Sequence, residues 1–358
     1  MALALLVAGL VAVVVVVITR FWLRGSEDLT RYDLPLKALQ NPGAPASPEH
    51  AEVVADVRAL FAADGSGPRE EQLRRMREAM DEMGATVSLV GVELRSVAFD
   101  GFDGEWVLAS GADPARRLLY LHGGGFTAGS TISHRLVTSE LGRVTGCAVL
   151  AINYRLLPEH GRLQALDDCE TAYRWMLENG PTGPAPVEEA LVAGDSAGGN
   201  LTLALLARAR DDEAVRPPDA AIALSPTTDG TFSAPSLARN LDTDPMLGPV
   251  MARLVSYPRQ ALWFLWFANR LRPCDVRISP IHGPLHELPP TLVHASEAEM
   301  LLDDARRYAN KARLAGSEVT LATWGHMVHV WHLFARRLPE ADAAFRHIGE
   351  WLAEVRER

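Results

Sequence analysis

Ala193-Gly194-Asp195-Ser196-Ala197-Gly198-Gly199-Asn200 is the stretch that decides the fold of this 358-residue chain. It follows a short apolar run that is typical of a buried strand, and it precedes a helix-like segment. A serine with a glycine two positions before and after it is typical of a sharp strand-to-helix turn, where glycines avoid collisions with neighbouring backbone. The helix N-terminus favours developing negative charge beside the serine. The pattern indicates that Ser196 is a nucleophile, although a turn that serves only tight packing has the same glycines.

A second glycine-rich element, Leu121-His122-Gly123-Gly124-Gly125-Phe126, follows another predicted strand. Consecutive glycines let the backbone approach a reacting carbonyl closely and point amide groups at its oxygen. We therefore expect the amides of Gly123, Gly124 and Ala197 to form an oxyanion hole, and His122 to hold the loop as a structural residue. A phosphate-binding loop is the alternative, but the GxGxxG spacing and the Lys-Ser/Thr pair of such loops are missing.

Short apolar runs alternate with helix-like segments from residue 87 onward. The candidate strands are Val92–Phe99, Glu105–Ala109, Arg117–Leu121, Cys147–Asn153, Ala190–Ala193, Ala220–Leu224, Thr291–His294 and Val319–Trp324. This alternation predicts the α/β class, with a mostly parallel sheet that carries helices on both faces.

Residues 227–289 interrupt this rhythm, since they contain no clear strand. A segment this long between two core strands predicts a helical insertion over one end of the sheet. It contains the apolar run Leu262-Trp263-Phe264-Leu265-Trp266-Phe267. Three interpretations of the run stay open: contact with substrate, contact with lipid, or the insertion's own core.

The chain begins with an unbroken apolar run, Met1–Thr19. As a helix, these residues reach about 28 Å, close to the hydrocarbon thickness of about 30 Å. Aromatic Phe21-Trp22 between Arg20 and Arg24 resembles an interfacial belt. We therefore expect an uncleaved transmembrane helix, with the rest of the chain on the cytoplasmic side by the positive-inside rule. A signal peptide of unusual sequence, or a buried helix or strand, remains the alternative.

Composition excludes several classes of protein. The chain is 48% apolar and 22% charged with a formal net charge of −10, so a disordered chain, a collagen-like fibre and a basic nucleic-acid module are poor fits. Its three cysteines are scattered with no CxxC pair, which predicts neither a disulfide framework nor a zinc site.

Three motifs in order resemble the hormone-sensitive-lipase-like family of α/β-hydrolases, which includes bacterial carboxylesterases, arylacetamide deacetylases and lactone hydrolases. They are the loop 122–126, the segment Asn153-Tyr154-Arg155-Leu156-Leu157-Pro158-Glu159-His160 and the elbow 194–200. The resemblance extends from about Glu105 to the C-terminus. It implies an α/β-hydrolase fold with an eight-stranded sheet and a helical cap. We accordingly expect a transmembrane anchor (1–24), a linker with N-terminal cap helices (25–86), and a catalytic domain (87–358) with a cap insertion at about 227–289.

The resemblance also implies a triad in the order serine, acid, histidine. Trp324-Gly325-His326-Met327-Val328-His329 is similar to the family's W/Y-x-G-M-x-H, which makes His329 the expected base. His326 is the backup, because Gly325-His326 stands where the family more often has Pro-Gly. Residues 295–304 are similar to the family's G-x-x-D-P-L-x-D-E, which puts Glu299 at the acid position, with Asp303 as the alternative.

The activity implied is that of a serine carboxylesterase. It would hydrolyse short- to medium-chain carboxylic esters, lactones or acetylated small molecules through an acyl-enzyme intermediate, with no metal, no cofactor and no nucleic-acid partner. The alternative is a non-catalytic ligand-binding protein or a scaffold on the same fold. The presence of both Ser196 and His329 weighs against a binding protein that has lost its catalytic histidine. The oligomeric state stays open.

Overall fold

Eight strands form the central sheet of the computed structural model, which describes residues 1–36, 38–41, 44–61 and 67–358. The strands are β1 Val92–Ala98, β2 Asp103–Ala109, β3 Asp113–Leu121, β4 Cys147–Asn153, β5 Glu189–Asp195, β6 Ala220–Leu224, β7 Thr291–Ser296 and β8 Val319–Trp324. Their spatial order is β1-β2-β4-β3-β5-β6-β7-β8. Strand β2 pairs antiparallel with β1 and β4, and the remaining pairs are parallel. The predicted mostly parallel sheet is confirmed.

Helices cover both faces of this sheet. The α-helices that the structure describes are α1 Ala2–Val17, α2 Pro48–Phe61, α3 Arg69–Ala85, α4 Arg135–Thr145, α5 Arg162–Glu178, α6 Ala197–Asp211, α7 Ser236–Arg239, α8 Leu247–Ser256, α9 Pro258–Asn269, α10 Leu302–Leu314 and α11 Pro339–Arg356. Helices α2, α4 and α11 pack on one face, whereas α5, α6 and α10 pack on the other. Strand β4 and the last part of β3, Leu118–Leu121, are therefore buried on both sides, which explains why they read as continuous apolar runs.

Helix α1 continues through a π-helical turn, Ile18–Leu23. Among the described residues, this is the one helix whose length and composition would allow it to cross a membrane. Its segment Leu6–Leu23 has a mean hydropathy of 2.5 and is 11% buried.

The described residues of the segment that is expected to be a linker pack on the α/β domain. Leu29 and Tyr32 are buried beside α10, and Asp33 forms an ion pair with Arg307 at 2.6 Å. Ala38 accepts the amide of Thr323 at 2.7 Å, so the chain runs along the edge strand β8. This stretch is thus part of the domain surface, although Lys37, Pro42 and Gly43 lie outside the described residues.

The N-terminal segment 25–86, for which helices are predicted, contains α2 and α3; residues 62–66 lie outside the described residues. Residues 227–289, the predicted cap insertion, hold α7, α8 and α9 between β6 and β7. The aromatic run of this segment lies on α9. Only part of the run belongs to a core, because Leu262 is buried while Phe264 and Phe267 are exposed.

The loops that follow β3, β5, β7 and β8 carry the predicted site residues. These four strands are parallel, so their carboxyl ends meet at one edge of the sheet. The topology therefore brings together residues as distant along the chain as Gly123 and His329.

Candidate active site

Ser196 lies on a strained turn between β5 and α6. Its backbone has φ +51° and ψ −111°, a conformation that costs a non-glycine residue about 1–3 kcal/mol. Its amide donates to the carbonyl of Leu224 at 2.8 Å, which fixes the turn against β6. A Cβ at Gly198 would overlap the carbonyl oxygen of Leu121. The glycines thus allow the elbow to approach the neighbouring strand, as the spacing predicts, and Ser196 remains partly exposed.

A hydrogen-bonded row of three side chains contains this serine. His329 Nε2 lies 2.8 Å from Ser196 Oγ, and its Nδ1 lies 2.7 Å from Glu299 Oε2. His329 and Glu299 are both buried. Burial lowers the pKa of His329, but the hydrogen bond and the charge of Glu299 outweigh this effect, so that its pKa lies above the ordinary 6.5. The structure thus brings together Ser196, His329 and Glu299.

Two residues of the cap insertion hold the loop that carries the acid. The Nδ2 amide of Asn240 donates to the carbonyl of Glu299 at 2.7 Å, and Asp244 accepts the amide of Met300 at 2.9 Å. The other oxygen of Glu299, Oε1, accepts the amide of Ser296 at 2.9 Å. Sequence reasoning missed Asn240 and Asp244, because they lie in a segment without strands or a recognisable motif.

The alternative residues for base and acid lie elsewhere. His326 is exposed on a turn with φ +68°. His332, another histidine that follows β8, is buried 3.1 Å from His294, and burial lowers its pKa to about 3. Asp303 is occupied by ion pairs with Arg239 at 3.1 Å and Arg306 at 3.4 Å.

The oxyanion loop, residues 122–126, differs from expectation at one position. The amide of Gly123 donates to Asp195 Oδ1 at 2.9 Å, so the prediction that it faces a substrate oxygen is wrong. Among the described residues, the amides of Gly124 and Gly125 meet no acceptor. Ala197 opens α6, where the first amides have no partner within the helix. The three amides left for an oxyanion are therefore those of Gly124, Gly125 and Ala197.

Asp195 ties this loop to the nucleophile elbow. Besides Gly123, its Oδ1 accepts the hydroxyl of Tyr120 at 2.5 Å, and His134 Nε2 lies 3.4 Å away. Burial raises the pKa of Asp195, but His134 and the Tyr120 hydroxyl outweigh burial and hold the pKa below its ordinary value. A charged carboxylate therefore stays buried there as an acceptor for the loop and for Tyr120.

His122 also supports the loop. Its Nδ1 lies 2.7 Å from the carbonyl of Gly123, and its ring stacks on Tyr154 at 4.3 Å. Burial lowers the pKa of His122 to about 3, so the ring is neutral. Tyr154 belongs to the third motif and donates its hydroxyl to the carbonyl of His122 at 2.7 Å.

No metal site accompanies these residues in the part of the chain that the structure describes: no three His, Cys, Asp or Glu side chains converge there in a way that would hold an ion. Cys147, Cys169 and Cys274 are buried and unpaired. The arrangement itself, a strained serine with a base and free amides beside it, suits nucleophilic attack on an acyl carbon.

Comparisons with known proteins agree with this chemistry. A family model described as alpha/beta hydrolase fold matches residues 118–333. An acetyl-hydrolase from Streptomyces hygroscopicus is 36% identical over 286 residues, which are 80% of this chain and 89% of the relative. An esterase structure from the bacterial hormone-sensitive lipase family is 33% identical and aligns with a TM-score of 0.75 over 87% of this chain and 99% of the other. EstE5, whose crystal was soaked with p-nitrophenyl butyrate, is 34% identical with the same TM-score and coverage.

Proposed function

Because the chain belongs to the hormone-sensitive-lipase-like α/β-hydrolases and is a carboxylic ester hydrolase, we propose that Ser196 is its nucleophile, His329 its base and Glu299 the acid that orients the base. The observation that carries this assignment is the continuous hydrogen-bond row from Glu299 through both nitrogens of His329 to Ser196 Oγ.

The reaction has two halves. In the first, Ser196 Oγ attacks the carbonyl carbon of the ester while its proton passes to His329 Nε2, and the negative oxygen is held by the amides of Gly124, Gly125 and Ala197. The tetrahedral intermediate collapses, the alcohol leaves with the proton from His329, and the acyl group stays on Ser196. In the second half, water gives a proton to His329 and attacks the acyl carbon. The second tetrahedral intermediate collapses as His329 returns this proton to Ser196 Oγ, which releases the carboxylic acid and restores the free serine.

Glu299 contributes through its charge and through orientation. It accepts the Nδ1–H of His329, which leaves Nε2 unprotonated and aimed at Ser196. Its negative charge stabilises the imidazolium that forms during each half-reaction. The amide of Ser296 fixes the second oxygen of the carboxylate.

The proposed substrates are esters with short to medium acyl chains, with lactones and acetylated small molecules as further members of the class. Two relatives support this range. One carries the name acetyl-hydrolase, and the crystal of the other, EstE5, was soaked with a butyrate ester.

The test uses the full chain in detergent with p-nitrophenyl esters of increasing acyl length. We expect turnover that is highest with short acyl groups and is lost with Ser196→Ala. Labelling by a fluorophosphonate should follow the same pattern. A folded chain with neither turnover nor labelling would contradict the assignment and favour a binding or scaffold role.

We also propose that α1 anchors the enzyme in a membrane with the catalytic domain on the cytoplasmic side. The apolar side chains of this helix are mostly exposed, for example Leu10, Val13 and Val16, and Arg20 and Arg24 follow the span. Retention of the protein in membranes washed with alkaline carbonate tests the anchor, and intact N-terminal sequence excludes a cleaved signal peptide. Protection from protease in sealed cytoplasm-side-in vesicles tests the orientation.

A further inference from the structure

The cap insertion contains a stretch whose charge is opposite to that of the protein. Residues 245–274 include no Asp or Glu but carry Arg253, Arg259, Arg270 and Arg272, whereas the chain has a net charge of −10. The first 26 residues likewise have no acidic side chain and carry Arg20 and Arg24. The fold puts these two stretches in contact.

Several contacts join α9 to the end of the apolar helix. Trp263 Nε1 donates to Thr19 Oγ1 at 2.9 Å, and Trp266 meets Trp22 edge to face with ring centroids 5.1 Å apart. The amide of Cys274, just beyond α9, donates to the carbonyl of Leu23 at 3.3 Å. Helix α9 therefore lies beside the last turns of the span, where the chain would leave the hydrocarbon.

Large apolar side chains of this region are open to solvent. Phe264 is 54% exposed, Phe267 is 56% exposed and Tyr257 is 61% exposed. The Phe267 ring also packs on Trp266 with centroids 4.6 Å apart, so it continues the aromatic group that contacts the span. An exposed aromatic surface of this kind marks an interaction site. Tryptophan and tyrosine are enriched at membrane interfaces, because their rings are apolar and their tips polar.

The arginines around this surface are available for an anionic partner. All six are exposed. None of them has a carboxylate within ion-pair distance among the residues that the structure describes. By contrast, Arg277, three residues beyond the acid-free stretch, pairs with Asp275 at 2.8 Å.

We propose that the face formed by α8 and α9 rests on an anionic lipid surface beside α1, with its aromatic side chains in the headgroup region and its arginines against lipid phosphates. The inference rests on the proposed membrane anchor, which sets the plane of the bilayer. A lipid surface fits both features at once, since aromatic side chains insert at the interface and the arginines neutralise anionic headgroups.

This docking connects the membrane to the catalytic acid. Met251 of α8 packs in one apolar cluster with Met300 and Leu301, which directly follow Glu299. Asn240, from the same insertion, holds the carbonyl of Glu299. The cap insertion thus lies between the lipid surface and the acid loop, which favours esters that partition into the membrane.

The experiment uses the full chain in vesicles of phosphatidylcholine with phosphatidylglycerol. Single cysteines replace Phe264 or Phe267 and receive a nitroxide label, while the native cysteines are buried. Collision rates are measured with oxygen, which concentrates in lipid, and with a nickel chelate that stays in water. We expect both labels to collide with the nickel chelate several-fold less often than a label at Val90, which is 82% exposed and lies before β1.

A label at Val13 separates failure of the docking from failure of the anchor. If Val13 is embedded but Phe264 and Phe267 are as accessible to nickel as Val90, the docking is wrong and the anchor stands. If Val13 itself is accessible to nickel, the anchor fails and the docking falls with it. Low collision rates with both reagents, together with broadening between labels, would assign the face to a second copy of the chain and overturn the proposal.

A charge test uses matched pairs of arginines. Arg259→Gln with Arg270→Gln should raise the nickel accessibility of the Phe264 label several-fold in anionic vesicles. Arg313→Gln with Arg346→Gln removes the same charge from exposed positions on α10 and α11, and we expect no change. Equal effects of the two pairs would contradict a role for the α9 arginines. Ester hydrolysis in detergent checks that each variant is folded.

Discussion

Glu299→Gln is expected to lower kcat about 10⁴-fold, or about 5 kcal/mol, because it reverses the tautomer of His329. The carboxylate now accepts two hydrogens, one from the amide of Ser296 and one from His329 Nδ1. A glutamine has one oxygen for these two donors. If that oxygen stays on the fixed backbone amide of Ser296, the NH₂ group faces His329 and Nδ1 becomes the acceptor. The proton then sits on Nε2, which is unable to take the proton of Ser196.

The assay is hydrolysis of p-nitrophenyl butyrate across pH, with active sites counted by fluorophosphonate titration. The charge of Glu299 helps to raise the pKa of His329. When the assay is made more acidic, the residual activity of Glu299→Gln should therefore begin to fall at a lower pH than the activity of the parent. Asp303→Asn is the matched control, since Asp303 lies four residues away and pairs with arginines instead. A kcat of Glu299→Gln within tenfold of the parent, or a larger loss in Asp303→Asn, would refute the reasoning.

Two further changes test buried carboxylates outside the triad. Burial and the charge of Asp229 raise the pKa of Asp304 from 3.8 to about 7. Between these two pKa values the folded chain therefore holds a proton that the unfolded chain releases. The contribution of Asp304 to the free energy of unfolding falls by up to about 4 kcal/mol as pH rises from about 4 to 7. In urea unfolding, Asp304→Asn should be more stable than the parent at pH 8 but not at pH 4. Asp195→Ala leaves the Tyr120 hydroxyl and the Gly123 amide without their acceptor, which costs about 1–3 kcal/mol each. Asp195→Asn keeps an oxygen there and should retain more stability and kcat; equal losses in both variants would show that the acceptor is unimportant.

The centre of the sheet could be predicted from sequence because its strands there are buried on both faces. The runs Cys147–Asn153 and Ala220–Leu224 are buried almost throughout, so apolar residues continue to the ends of both strands. Their predicted bounds agree with the observed strands. The elbow could be predicted for a related reason. Any residue other than glycine at position 198 would place its Cβ against the carbonyl oxygen of Leu121. The glycine in the sequence therefore indicates the close approach of the two segments.

Other features depend on contacts that are distant in sequence. The stretch after Arg24 is rich in polar residues and proline, which is typical of a linker, yet Asp33 and Tyr32 pack on α10 more than 270 residues away. Asn240 is likewise an ordinary residue in a strandless segment until the fold places it under Glu299. No local pattern marks either contact.

The oxyanion loop shows most clearly where local reasoning ends. Three consecutive glycines indicate that amides approach a substrate, but they do not indicate which of the amides are free. That choice is made by Asp195, whose carboxylate takes the amide of Gly123 and leaves those of Gly124 and Gly125. Asp195 directly precedes Ser196, so one buried side chain fixes the loop relative to the nucleophile. The distance between the attacking oxygen and the oxyanion donors therefore depends on a residue that need not touch the substrate, and displacement of its carboxylate should impair catalysis even with the triad intact.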